Sequence, residues 1–252
     1  LKTTAVKKDG RWVINGQKVW ISRIQHSDLM ILLARTTPAD QVTKRSEGLS
    51  CFLIDLKQAI GNGLTVRPIL NMVNHETNEL FFDNLEIPED ALLGEEGKGF
   101  KTLLDGLNAE RVLIAAECIG DGYWFIDRAT KYAKDRVVFD RPIGQNQGIQ
   151  HPLAEKWMYL ESAWLMCEKA ARLYDQGLPC GAESNAAKFL AARACHDAAW
   201  QAVATHGGFG YAKEYHVERL YRESALTRLA PITEQLIMSF IAEKVLGLPK
   251  SY

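Results

Sequence analysis

The stretch Leu104-Asp105-Gly106-Leu107-Asn108-Ala109-Glu110-Arg111-Val112-Leu113-Ile114-Ala115-Ala116 sets a carboxylate beside a guanidinium inside a strongly apolar helical pattern. At helical spacing Phe100, Leu104, Leu107, Ile114 and Cys118 share one stripe, with Arg111 inside it and Glu110 at its margin. Neither charge belongs in a core without a partner, because desolvating an unpaired charge costs several kcal/mol or shifts its pKa. Two readings of the pair follow. One is a structural ion pair anchoring the helix, since such networks also perturb pKa values; the other is a carboxylate base steered by its neighbouring cation.

Outward from this helix the chain divides. From Gly97 onward the apolar period is helical, predicting long helices over 99–135, 147–176, 182–206 and 215–246. The breaks fall at Pro142-Ile143-Gly144, Gly177-Leu178-Pro179 and Gly207-Gly208-Phe209-Gly210. Pro231 should end or kink the last pattern near Ala230, leaving 233–246 as a separate segment. Before Gly97 the pattern is that of strands. Runs over 3–8, 11–14 and 17–22 are separated by Asp9-Gly10 and Asn15-Gly16, both favoured hairpin dipeptides, which predicts a β-meander. Further strands are expected over 29–37, 49–56, 64–69 and 79–87. The expected fold class is α+β: an N-terminal antiparallel β-barrel or sandwich over 1–95, then an antiparallel four-helix bundle over 96–252.

The 252 residues are 47% hydrophobic and 24% charged, with a formal charge of -1, the composition of a globular chain with a packed core. No basic excess points to nucleic acid and no acidic tract to a solvating tail. Five cysteines without CxxC spacing fit a reducing compartment. No apolar run reaches the roughly 18 residues of a membrane span, and no signal peptide is evident. The chain starts at Leu1, directly before a strand, so an upstream part is expected to be absent or cleaved. The six histidines, His75 among them, show no HExxH or other metal spacing, and no GxSxG elbow or P-loop occurs, so no metal is expected. Gly207-Gly208-Phe209-Gly210 reads as a turn or as a place where backbone N–H groups approach a phosphate.

Four phrases together resemble the acyl-CoA dehydrogenase flavoprotein family, in its order and spacing. They are Ile14-Asn15-Gly16-Gln17-Lys18-Val19-Trp20-Ile21-Ser22, Glu110-Arg111, Arg136-Val137-Val138-Phe139 followed by Pro142-Ile143 and Gln147, and Gly207-Gly208-Phe209-Gly210-Tyr211. The resemblance covers the family's middle β-domain and C-terminal helical domain, and leaves its N-terminal helical domain outside this chain. It implies FAD as cofactor. Trp20 would lie against the flavin ring, where a core strand aromatic is the alternative, and Ser22 would hydrogen-bond near flavin N5. Arg136 would reach the pyrophosphate of FAD in a neighbouring subunit, or else stabilise a helix end. Phe139 and Gln147 would lie beside adenine and ribose or pyrophosphate, and Gly207 and Gly208 close to the dinucleotide. Thr233 and Gln235 would contact the cofactor, with helix capping as the alternative for Thr233.

The reaction so implied is α,β-dehydrogenation of an acyl-CoA thioester, with electron-transfer flavoprotein as acceptor. The implied assembly is a homodimer or homotetramer sharing the FAD site, in bacterial cytoplasm or the mitochondrial matrix. The family's usual base, in a Tyr-Glu-Gly-Thr phrase, aligns with Pro231 of Ala230-Pro231-Ile232-Thr233, which takes no proton. Members such as isovaleryl-CoA dehydrogenase carry the base immediately before an arginine on the first long helix of the C-terminal domain, the place of Glu110, with Arg111 fixing its orientation. Glu234 is a minor alternative. Asp140 and Ala204 depart from the family's Gly and Gln. A flavin monooxygenase or oxidase on the same scaffold, and a non-catalytic partner subunit or truncated chain, are the competing readings.

Overall fold

Strand β1 (Thr4–Lys8) turns at Asp9-Gly10 into β2 (Arg11–Ser22), and both turn residues take positive φ, 50° and 76°. This is the first expected hairpin, with Lys8 opposite Arg11 and Thr4 opposite Asn15. The second, at Asn15-Gly16, does not form. β2 runs through that dipeptide and pairs on its other side with β6 (Thr77–Pro88). The register slips there by one residue on β6, where Asn84 takes φ 48° and its N–H donates to Asn15 Oδ1 at 2.9 Å. Gly16 has φ 135°, and a Cβ on it would meet Thr3 Cα at 2.7 Å. The dipeptide marks a β-bulge, which draws on the same tolerance of positive φ as a hairpin turn. The three-stranded meander is thereby corrected to one hairpin plus a long-range pairing.

The structure, a computed structural model, describes residues 1–73 and 76–251, without the side chain of Asp105. The expectation for His75 therefore lies outside the described residues. The remaining strands are β3 (Leu29–Arg35), β4 (Leu49–Asp55), β5 (Leu64–Pro68) and β7 (Leu92–Leu93), with a short helix α1 (Leu56–Ala59) after β4. They form one seven-stranded sheet in the order β5-β6-β2-β1-β3-β4-β7. β1 and β3 pair in parallel at Thr4 and Arg35, so the sheet is mixed rather than purely antiparallel. Its core holds Trp12, Ile14, Leu32, Phe52, Ile54, Leu80 and Phe82, the alternate residues of their strands. Trp12 meets Phe52 edge-on at 5.2 Å. Each such side chain contributes roughly 1.5–3 kcal/mol by leaving water.

The helical part begins with α2 (Gly99–Asp135), the span expected from its period. A two-residue hairpin of β8 (Val137–Val138) and β9 (Arg141–Pro142) follows. Then come α3 (Gln147–Asp175), α4 (Gly181–His206), α5 (Val217–Leu229) and α6 (Glu234–Phe240), the last continued by a π-helical turn over Ile241–Val245. α5 stops at Leu229 because Pro231 forces Ala230 into extended backbone, φ -116° and ψ 156°.

By packing the chain forms two units, Leu1–Gly106 and Leu107–Tyr252. The second has its own core of Ala115, Cys118, Ile119, Phe125 and Ala129 from α2, Leu160, Ala163 and Cys167 from α3, and the alanines of α4. α4 is apolar on nearly every side, as expected of a helix surrounded by others, and its small residues let its neighbours come close. The buried face of α2 starts at Ala115, so the expected stripe is only partly a core stripe: Cys118 is buried, whereas Leu104 is 42% exposed. All five cysteines are free and buried. Among the described residues no helix is long and apolar enough to cross a membrane.

Candidate active site

Glu110 and Arg111 sit on consecutive positions of α2 with different surroundings. Glu110 is exposed, and among the described residues no hydrogen bond or ion pair engages its carboxylate. Arg111 is half-buried and turns back one helical turn, donating from Nη1 to Asn108 Oδ1 at 3.0 Å, while its Nε is buried without a partner. Burial lowers the Arg111 pKa, and the charge of Glu110 pulls it partly back. The structural ion pair is therefore not what forms here: the guanidinium is tied to an amide and the carboxylate is left free.

Glu234 is the opposite case. Its carboxylate is almost fully buried and accepts from Arg193 Nη2 at 2.9 Å and Nε at 3.2 Å, and from Arg228 Nε at 2.7 Å and Nη2 at 3.1 Å. The Arg228 hydrogen bonds, aided by those of Arg193 and against the effect of burial, hold it down to a pKa of about 2. Thr233, next to it, accepts from Leu236 N–H at 3.4 Å and so caps α6, the local role open to it from sequence. Gln235 is exposed.

A cleft of about 570 Å³ lies where the end of α2, β8 and the loop after α4 meet. It brings Arg136 together with Gly207, Gly208 and Phe209. The exposed Arg136 guanidinium lies 5.9 Å from the Phe209 ring centre, and no carboxylate is paired with it among the described residues. Gly207 ends α4 at φ 59° and ψ -131°, a conformation open essentially to glycine alone. Gly208 is crowded by nothing within 4 Å and needs no unusual φ. Five lining residues were missed from sequence: Tyr132, Thr205, His206, Ala212 and Glu214. Tyr132 stacks on His206 at 4.3 Å between ring centres, and His206 donates from Nδ1 to the Ala202 carbonyl at 2.7 Å. Burial lowers the His206 pKa, with the Ala202 hydrogen bond opposing it and the charge of Arg128 adding to it. The signals were available: Tyr132 lies one turn before Arg136, and His206 directly precedes the glycines.

Phe139 and Gln147 are exposed and do not line this cleft. Phe139 and Asp140 form the β8–β9 turn with φ of 52° and 60°, and Phe139 is 93% exposed. Asp140 thus occupies a left-handed position that glycine would take without strain. In the sheet unit, Trp20 falls where β2 carries an extra residue against β6, between Lys18 and Ile21. It has φ 64° and is 67% exposed, so it is not a core aromatic. A bulky residue in this region costs on the order of 1–3 kcal/mol, strain that concentrates at functional sites. Ser22 is exposed at the end of the same strand, opposite Thr77.

The sequence pattern of the acyl-CoA dehydrogenase C-terminal domain matches residues 97–246, and that of the acyl-CoA dehydrogenase middle domain residues 1–85. The chain belongs to the acyl-CoA dehydrogenase family. An acyl-CoA dehydrogenase of Bacillus subtilis is 39% identical over 250 residues, 98% of this chain and 64% of that protein. The solved glutaryl-coenzyme A dehydrogenase glutaryl-CoA complex superposes with a TM-score of 0.93 at 31% identity, over 100% of this chain and 63% of that one. The FAD complex of PigA superposes at 0.90 with 27% identity, over 98% of this chain and 64% of that one. The chain thus spans just under two thirds of the length of these proteins.

Proposed function

We propose that this chain is the middle and C-terminal part of an FAD-dependent acyl-CoA dehydrogenase in which Glu110 is the base. The observation that carries the reading is the contrast among carboxylates: Glu110 is exposed and unengaged, Glu234 is locked by two guanidiniums, and the family's usual base position is Pro231. Glu110 takes the Cα proton of the thioester onto a carboxylate oxygen, and the electron pair of that C–H bond becomes the second bond between Cα and Cβ. FAD, when bound, supplies the acceptor for the hydride leaving Cβ. Arg111 is a positioning residue, its guanidinium fixed on the helix by Asn108. The side chains present fit such a cofactor. Arg136, in no ion pair among the described residues although Glu214 lines the same cleft, is suited to a pyrophosphate, and the open space over Gly208 to close backbone approach. The strained, exposed Trp20 is suited to a flavin ring, with Ser22 as a hydroxyl donor beside it; Phe139, Gln147, Thr233 and Gln235 are further cofactor contacts on this reading.

On this reading residues 1–95 are the middle β-domain, its sheet curled as a barrel or sandwich, and 96–252 the helical domain, with α2 to α5 as an antiparallel four-helix bundle. The exposure of Arg136 and Phe139 suits a cofactor shared between subunits of a homodimer or homotetramer, with electron-transfer flavoprotein as electron acceptor, in bacterial cytoplasm or the mitochondrial matrix. A monooxygenase, an oxidase or a non-catalytic partner would leave Glu110 without a task. Glu110→Gln in the flavin-loaded protein should keep the yellow colour and slow bleaching by acyl-CoA by about 10²–10⁴-fold, the usual contribution of a general base. Bleaching at the wild-type rate excludes Glu110.

A further inference from the structure

Lys188, on α4, is 0% exposed and has no carboxylate partner among the described residues. Burial depresses its pKa, with Cys118 and Glu234 opposing the effect and the charges of Arg111 and Arg228 adding to it. An apolar residue of similar length would fill the same space without desolvating an amine. What lysine adds is a donor: Nζ gives a hydrogen bond to the Ile232 carbonyl at 2.7 Å, in the turn between α5 and α6. Because the Ile232–Thr233 peptide is planar and trans, fixing its carbonyl toward α4 aims the Thr233 N–H the other way. The next two residues are held as well, Thr233 by capping Leu236 and Glu234 by Arg193 of α4 and Arg228 of α5. Three consecutive residues are thus each fixed by a different contact, and the neighbouring Gln235 side chain is left exposed. So much fixation of one short turn is more than chain reversal needs.

We propose that Lys188, together with the Arg193–Glu234–Arg228 cluster, is a positioning residue that holds the turn over 231–235 in the orientation in which Thr233 and Gln235 meet the flavin cofactor. The proposal rests on the cofactor reading above. Lys188→Met preserves side-chain length and removes the donor. In the full-length holoprotein it should weaken FAD binding about tenfold, a loss within the range of a charge-assisted hydrogen bond. Flavin fluorescence reads that change. Amides over 232–236 should exchange with solvent several-fold faster, and those of β1 at the wild-type rate. Leu160→Ala is the comparison: it loosens the helical core and should lower Tm while leaving FAD affinity unchanged. If Lys188→Met folds poorly, Arg193→Met, at a half-exposed position, weakens the same clamp and should give a smaller change of the same kind. Unchanged exchange over 232–236 overturns the clamp whatever the flavin does. Faster exchange with unchanged FAD affinity overturns the link to the cofactor. A Thr233→Val, Gln235→Ala double variant then locates the error: unchanged affinity there too means that the cofactor reading of this turn fails while the clamp stands.

Discussion

Replacing Glu234 by Gln keeps the side chain's shape and removes its charge. In the folded protein the carboxylate accepts four hydrogen bonds from Arg193 and Arg228 and titrates at about 2. In the unfolded chain it titrates near the ordinary glutamate value of ~4.3. The folded pKa is the lower one, so the stabilisation is fully present above the unfolded value and is lost as pH falls through the folded value. At about 1.36 kcal/mol per tenfold change in proton affinity, the pair contributes about 3 kcal/mol at neutral pH. Near pH ~3 the unfolded glutamate is mostly protonated while the folded one is still ionised, and about half of that remains. The Arg193 and Arg228 side chains are 47% and 35% exposed, so the variant leaves both able to reach water and adds no large penalty for a stranded charge. Glu234→Gln should therefore be destabilised by about 2–3 kcal/mol at neutral pH and by about 1–1.5 kcal/mol near pH ~3. Urea unfolding followed by far-UV circular dichroism measures both. A difference that is absent at neutral pH, or equal at the two pH values, refutes the ion-pair reasoning.

Leu160→Ala opens a cavity in the helical core, where Leu160 is fully buried, and should lower stability by about 3–5 kcal/mol in the same urea assay. Gly16→Ala forces a Cβ to within 2.7 Å of Thr3 Cα at φ 135° and should cost about 2 kcal/mol or more, seen as a lower Tm with faster amide exchange in β1 and β2. Tyr123 donates to Glu161 Oε1 at 2.6 Å, and burial together with that carboxylate pushes its pKa up to about 12. The raised folded value means that the stabilisation is present below the phenol's ordinary pKa and fades as pH rises through about 12. Tyr123→Phe should cost about 1 kcal/mol at neutral pH and remove one late-titrating phenolate from the alkaline absorbance titration.

The sequence-to-structure agreement follows the range of the forces involved. α2 was legible end to end because the onset of helical periodicity at Gly97 and the break toward Pro142-Ile143-Gly144 are local signals. Asn15-Gly16 misled because such a dipeptide reports tolerance of positive φ and says nothing about which strand lies opposite. The pairing of β2 with β6 joins residues far apart in sequence, and no local pattern encodes it. The same holds within the site. Arg136 and the glycines were legible through a family phrase, while Tyr132 and His206 gain their places only when the end of α2 meets the loop after α4. Glu234 reads from sequence as a minor alternative base because its partners, Arg193 on α4 and Arg228 on α5, are not visible in the local pattern.

A base needs reach and also basicity, and Glu234, the carboxylate nearest the Ala230-Pro231-Ile232-Thr233 phrase, lacks the second. A carboxylate that four N–H groups hold to a pKa of about 2 is a poor proton acceptor at neutral pH, since Brønsted behaviour ties rate to affinity for the proton. Taking up a proton there would also release hydrogen bonds that fix the turn over 231–235. Pro231 carries no proton acceptor, and hydrogen bonds from Lys188, Arg193 and Arg228 hold Ile232 and Glu234 in the turn. Proton transfer by this turn and its rigid anchoring are thus alternatives, and this chain has the residues for the second. The proposed reaction then requires its base on an element held by other means. α2 meets that requirement: its core begins one turn beyond Arg111, and Glu110 stands exposed at the edge of that anchored segment.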